Sequence, residues 1–138
     1  MDKIKIGIMG AGRGIDIANN LLLLDCDIVA LCEINKERAE EGLKRLGKNV
    51  PVFEDFDEFL KQKPDAVVLA NYFHEHTPYA IKCFEKGIHV LSETMPAVTM
   101  AECVAICRAS EKSGAIYMLA ENYAYFAVTS KLTEIYQS

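Results

Sequence analysis

The chain has 138 residues, 51% of them hydrophobic and 25% charged, with a formal net charge of −5 at pH 7. That is one domain's worth of chain, with enough apolar residues for a packed core. The acidic balance and the lack of a basic cluster exclude a nonspecific nucleic-acid binder, and no apolar run approaches the ~20 residues that cross a membrane.

The charged start (MDKIKIG) has no signal-peptide core and leads straight into a strand, so a cytoplasmic protein is expected. Residues 3–9 (KIKIGIM) read as a short buried strand, 10–14 (GAGRG) as a glycine turn and 15–24 as a helix. Residues 27–32 (DIVALC) read as a second strand ending on Glu33. Strand, glycine turn, helix, strand, acid is the layout of a dinucleotide-binding unit. Gly10 lets the chain turn without a Cβ clash. Gly12 leaves room for a pyrophosphate, and the helix start turns its N–H groups and positive dipole end toward phosphates. Glu33, 21 positions after Gly12, stands where an acid accepts hydrogen bonds from an adenosine ribose. It would repel a 2′-phosphate, which favours NAD over NADP.

The third glycine of G-x-G-x-x-G is due at position 15, where Ile15 stands; Gly14 comes one residue early. Either the turn is shortened, or Gly14 serves close helix–strand packing from a shifted place. Arg13 lies over the adenine, pairs with a phosphate, or is a plain surface arginine. A structural turn in another α/β protein and a nucleoside-binding methyltransferase share this local pattern.

Residues 35–46 read as an exposed charged helix with Asn35 as N-cap and Gly47 as stop. Residues 50–53 read as a third strand and 55–62 as a short acidic helix ended by Pro64. Residues 66–70 (AVVLA) form an apolar run suited to a parallel strand covered on both faces. Residues 71–76 (NYFHEH) are its loop, after which Thr77-Pro78 opens a helix as N-cap and first helical residue. Residues 88–91 form a fifth strand, and 92–96 (SETMP) are its loop. Residues 99–113 form a long helix with an apolar stripe of Met100, Cys103, Val104 and Cys107. Residues 116–120 form a sixth strand, and 126–136 could be one more helix.

Six strands alternating with helices predict an α/β fold, a doubly wound parallel sheet of about six strands. Its ligands would bind at the carboxyl ends of the strands. Asn71 and Tyr72 then fit the cofactor-facing rim of the fourth strand. Asn122, just past the sixth, contacts nicotinamide or substrate or is a turn residue. Two histidines, His74 and His76, without a nearby third ligand do not make a metal site. His76 caps or lines the next helix, or serves as a substrate-side acid or base. His89, inside a strand, is expected to be structural. The five cysteines are odd in number, lack a CxxC pair and read as buried, reduced thiols.

The stretch DAVVLANYFHEHTPYAIKCFEKGIHVLSETMPAVT resembles the central part of the Gfo/Idh/MocA oxidoreductases, named for glucose–fructose oxidoreductase and inositol dehydrogenase. The apolar fourth strand, His74, His76, Pro78, the run from Gly87 to Leu91 and Glu93 carry the resemblance. With the glycine turn, Glu33 and AENYAY it covers nearly the whole chain and displaces the methyltransferase reading. It implies a Rossmann domain over residues 1–122, with 123–138 as a terminal helix or the start of a C-terminal substrate domain. That second domain supplies much of a sugar or polyol pocket and often the interface of a homo-oligomer. The expectation is therefore a nucleotide-binding fragment, inactive alone, of a longer NAD-dependent oxidoreductase.

The resemblance also implies that Glu93 orients the nicotinamide ribose or amide. Where the family's E-K-P motif has its lysine, this chain has Thr94, and Met95 replaces the proline. Threonine supplies neither positive charge nor a base at neutral pH. The residues carried as catalytic are Glu93, Thr94 and His76. Three functions follow as expectations. The first is hydride transfer on a sugar, polyol or related substrate. The second is the NAD-dependent glycoside cleavage of some relatives, by oxidation, elimination and re-reduction. The third is a non-catalytic nucleotide-binding module.

Overall fold

A computed structural model describes residues 2–137. Six strands form one sheet: β1 (Ile4–Met9), β2 (Cys26–Cys32), β3 (Val52–Phe53), β4 (Ala66–Leu69), β5 (His89–Ser92) and β6 (Tyr117–Leu119). The order across the sheet is β3-β2-β1-β4-β5-β6, and every neighbouring pair is parallel. The chain thus forms a Rossmann-like, doubly wound α/β fold. The order reverses between β1 and β4, which opens a crevice at their carboxyl ends.

The helices are α1 (Arg13–Leu21), α2 (Lys36–Leu46), α3 (Phe56–Leu60), α4 (His76–Glu85), α5 (Met100–Ser113) and α6 (Ala127–Gln137). They cover both faces, as strands apolar along most of their length require. One cluster joins Ile15 and Ala18 of α1 and Ala39 and Leu46 of α2 to Ile6, Ile8 and Ile28. The other joins Phe59 of α3, Phe84 of α4 and Ile106 of α5 to Val67, Leu69 and Val90. Local chemistry sets the helix ends. Asn35 caps α2 by accepting the Arg38 N–H, and Gly47 ends it with φ 66°. Thr99 and Glu102 form a reciprocal capping box at α5.

Two expectations for the helices are corrected. Thr77 is not the cap of α4, because a 3₁₀ turn at Phe73–Glu75 runs directly into the helix and places Thr77 inside its first turn, buried. Pro78 is tolerated there, because first-turn N–H groups lack helical partners. On α5 the expected stripe faces outward except at Cys103, which packs against the core. Met100 is 78% and Val104 40% exposed, and Ile106 is the residue that is buried. Cys107 is exposed and Cys103 half-buried, so the buried-thiol reading holds only for Cys26, Cys32 and Cys83. Burial pushes the thiols of Cys32 and Cys83 up to about 12.

The tail forms a 3₁₀ turn at Tyr123–Tyr125 and then α6, with none of its residues buried. Among the described residues, no helix is long and apolar enough to cross a membrane.

Candidate functional site

The crevice at the switch point is a cleft of about 430 Å³. It lies between the glycine turn after β1, the loop after β2 and the loop after β4. Its walls include Gly12, Arg13, Glu33, Arg38, Asn71 and Tyr72.

The three glycines of the turn have different jobs. Gly10 has φ +96°, and a Cβ there would lie 2.5 Å from the Ala70 carbonyl oxygen. Its N–H donates to the Cys32 carbonyl at 2.9 Å, tying the turn to β2. Only glycine permits both the angle and the contact. Gly12 begins α1 without a side-chain cap. A Cβ on it would meet only an Arg38 guanidinium nitrogen, at 3.6 Å, so the space over Gly12 is open for a ligand. Gly14 serves packing: its Cβ would meet Ile8 Cγ2 at 2.8 Å. The packing alternative is therefore the one the structure adopts. The first turn of α1 lies on β1 at Gly14, and Ile15 is fully buried core.

Glu33 sits at the end of β2. One carboxylate oxygen accepts the Ala11 N–H at 2.9 Å and the other the Asn35 N–H at 3.0 Å. The acid fastens the glycine turn to the start of α2, and each oxygen keeps a lone pair for a further donor.

Arg13 is exposed at the cleft wall and holds an ion pair that its expected readings did not include. Its Nε donates to Glu93 Oε1 at 2.6 Å, bridging the glycine turn to the loop after β5. Glu93 Oε2 accepts the Thr94 N–H at 2.9 Å and its hydroxyl at 3.2 Å. Partial burial pushes the Glu93 carboxyl up, but the bonds from Arg13 and Thr94 outweigh it and hold the group below its ordinary value. The pair lifts the Arg13 guanidinium above its own. The Thr94–Met95 peptide is cis.

His76 is 1% exposed. Nδ1 lies 2.9 Å from the Met95 carbonyl and 3.0 Å from Ser92 Oγ; Nε2 lies 3.3 Å from the Asn71 carbonyl. The imidazole clamps the loops after β4 and β5 together. Burial lowers its pKa, against the opposing pull of those carbonyls and of Glu93 and Glu75. The ring lines the start of α4, buried between the two loops, and a neutral imidazole donates through one nitrogen only, to one of the two carbonyls. It fits a positioning residue.

Asn71 lines the cleft, and its Oδ1 is buried with no hydrogen-bond partner among the described residues. Tyr72 stands at the rim, 66% exposed, stacked on His74 at 5.8 Å. His89 Nδ1 accepts the Ile116 N–H at 2.9 Å, a structural bond between β5 and the lead into β6. Asn122 does not join the site: it is exposed at the start of the 3₁₀ turn and lies outside the cleft lining. Sequence reasoning missed Arg38, which stands in the cleft wall. Its signal was proximity to Glu33, weak because α2 is charged on most of its surface.

Residues 4–121 match the family described as "Oxidoreductase family, NAD-binding Rossmann fold". Among curated proteins the chain is 31% identical over 134 residues to "Alpha-N-acetylgalactosaminidase" of Tannerella forsythia, covering 88% of this chain and 29% of that protein. It is 25% identical over 135 residues to "D-glucoside 3-dehydrogenase" of Escherichia coli, covering 95% of this chain and 38% of that one. Among solved structures it superposes with a TM-score of 0.88 on the WlbA dehydrogenase from "Chromobactrium violaceum", in complex with NADH and UDP-GlcNAcA. The identity is 20%, over 99% of this chain and 40% of that one. The chain thus spans 29–40% of the length of these proteins.

Proposed function

The chain belongs to the Gfo/Idh/MocA oxidoreductase family, whose NAD-binding Rossmann domain it carries, and on that premise we propose what the whole protein does. It transfers hydride between the nicotinamide and a sugar, polyol or related small molecule. The observation that carries this reading is the cleft itself, with open space over Gly12 and the Glu33 carboxylate beside it. The residues present fit the cofactor. Gly12 leaves space for the phosphates, Glu33 has lone pairs free for ribose hydroxyls, and Asn71 in the cleft wall holds a buried acceptor without a partner among the described residues. A carboxylate at the ribose favours NAD over NADP. When bound, NAD supplies the hydride acceptor; this chain's residues bind and orient it.

Around that site Glu93 stays ionised, anchored by Arg13 and Thr94, at the loop assigned to the nicotinamide side. The Thr94 hydroxyl donates to Glu93 and carries no charge, so it does not take the substrate's proton. His76 fixes the spacing of the two loops. We assign residues 1–122 to the nucleotide domain and 123–138 to the beginning of a substrate domain. The same reading places the parent in the cytoplasm as a homo-oligomer. The 138-residue chain alone is expected to lack turnover.

A second reading, NAD-dependent glycoside cleavage, is favoured by the likeness to a protein named as a glycosidase. Assay of the full-length parent with NAD separates the two. Hydride transfer predicts net absorbance at 340 nm with free sugars or polyols. Cleavage predicts release of the leaving group from an aryl glycoside without net absorbance. Neither signal, with NAD bound, would favour a non-catalytic module.

A further inference from the structure

We propose that Arg38 is the cation that holds the dinucleotide's phosphate bridge, the place the sequence had offered to Arg13. This rests on the reading that NAD occupies the cleft.

Arg13 is taken. Its guanidinium donates to Glu93 at 2.6 Å, and that carboxylate sits on the loop after β5, not over the glycine turn. Arg38 is free. Its backbone N–H bonds to Asn35, but its guanidinium has no hydrogen-bond or ion-pair partner among the described residues. It also stands in the right place, since its Nη2 lies 3.6 Å from a Cβ built on Gly12 and, among the described residues, no other atom outside the adjoining backbone comes within 4 Å. A group lying on the Gly12 backbone therefore lies against this guanidinium.

The charge balance of the cleft calls for such a cation. Glu33, Glu54 and Glu75 line it, and Lys36 lies 3.5 Å from Glu54. With Arg13 neutralised by Glu93, the pyrophosphate's negative charges would face carboxylates without Arg38. A guanidinium offers parallel donors that match phosphate oxygens.

The residue is also held in register with the acid. Glu33 accepts the Asn35 N–H at 3.0 Å, and the Asn35 side chain accepts the Arg38 N–H at 3.0 Å. This chain of bonds fixes the first turn of α2 relative to the end of β2. Ribose-directed carboxylate and phosphate-directed guanidinium thus form one preset unit, with Glu33 on the sugar and Arg38 on the phosphate beside it.

The test is calorimetric titration of the chain and of Arg38→Gln and Arg13→Gln with NAD, NADP and 5′-AMP. Arg38 is exposed, so the substitution should leave folding intact, with circular dichroism as the check. Arg38→Gln is expected to weaken NAD, NADP and 5′-AMP together, each by about tenfold, the scale of a lost charged hydrogen bond. Arg13→Gln is expected to leave 5′-AMP unchanged. Unchanged NAD and 5′-AMP affinity in Arg38→Gln would overturn the proposal while leaving the cofactor reading intact. A loss confined to NADP would also overturn it, by assigning Arg38 to the ribose 2′-phosphate. Failure of the unmodified chain to bind NAD would overturn the cofactor reading, and the proposal with it.

Discussion

Replacing Gly10 by alanine is expected to lower stability by about 3–4 kcal/mol and to remove cofactor binding. Two independent penalties meet at this position. At φ +96° an L side chain sits in a left-handed conformation, at roughly 1–2 kcal/mol. The added Cβ would also press on the Ala70 carbonyl oxygen at 2.5 Å and its carbon at 2.8 Å. Those are backbone atoms of the loop after β4, which cannot rotate away, and forced overpacking adds roughly 1–3 kcal/mol. Gly47 provides the control. It has φ +66° but nothing within 4 Å of a built Cβ, so Gly47→Ala should carry only the conformational part, about 1 kcal/mol. Thermal denaturation of both variants checks this, with Gly10→Ala melting about 10 °C below the parent. Equal, small shifts for the two would show that the glycine turn does not pack on the β4 loop as described.

His76→Ala is the second large effect. The ring is buried and bridges Asn71, Ser92 and Met95. Truncation leaves a cavity and strips partners from buried oxygens, together about 3 kcal/mol. The pH dependence tests the role more sharply. Burial holds the His76 pKa below the value of an unfolded histidine, about 6.5. Below that pH the unfolded chain takes up a proton that the folded chain refuses, so stability is full above it and declines as pH falls. Glu93, also depressed, contributes in a lower window. Its share is present above the ordinary carboxylate range and lost only as pH falls through that range and below. Melting curves at pH 7.5 and 5.5 therefore report mainly on the histidine. The parent should melt lower at pH 5.5, and His76→Gln should show a smaller difference between the two pH values. An equal pH difference in the variant would mean that burial does not lower the His76 pKa.

The sheet was legible because each strand is a short apolar run closed by Gly, Pro, Asn or an acid. Parallel strands buried on both faces must read that way. The cap at Asn35 was legible because capping is local chemistry, spread over three or four residues. Gly10, Gly12 and Glu33 were legible as a spacing pattern. What the sequence concealed depends on neighbours far along the chain. The bond between Arg13 and Glu93 joins residues 80 positions apart, and nothing near Arg13 announces it. Gly14 remained ambiguous until Ile8 was seen beneath it. On α5, apolar or small residues occur around most of the helix, so spacing alone did not choose a face. Contact with α4 and Tyr117 did, turning Ile106 inward and Met100 outward. Asn122 followed the right strand but emerged on an exposed turn.

The central claim is that NAD lies over Gly12 in the cleft beside Glu33. Titration calorimetry of the chain and of Gly12→Val with NAD tests it most directly. The added side chain enters space that is otherwise open except for Arg38, so it should block the ligand without disturbing the core. The expected result is saturable binding by the parent and none by Gly12→Val, with the far-UV circular dichroism of the two alike. Equal NAD affinity in a folded Gly12→Val would contradict the account, because the cofactor would then lie elsewhere.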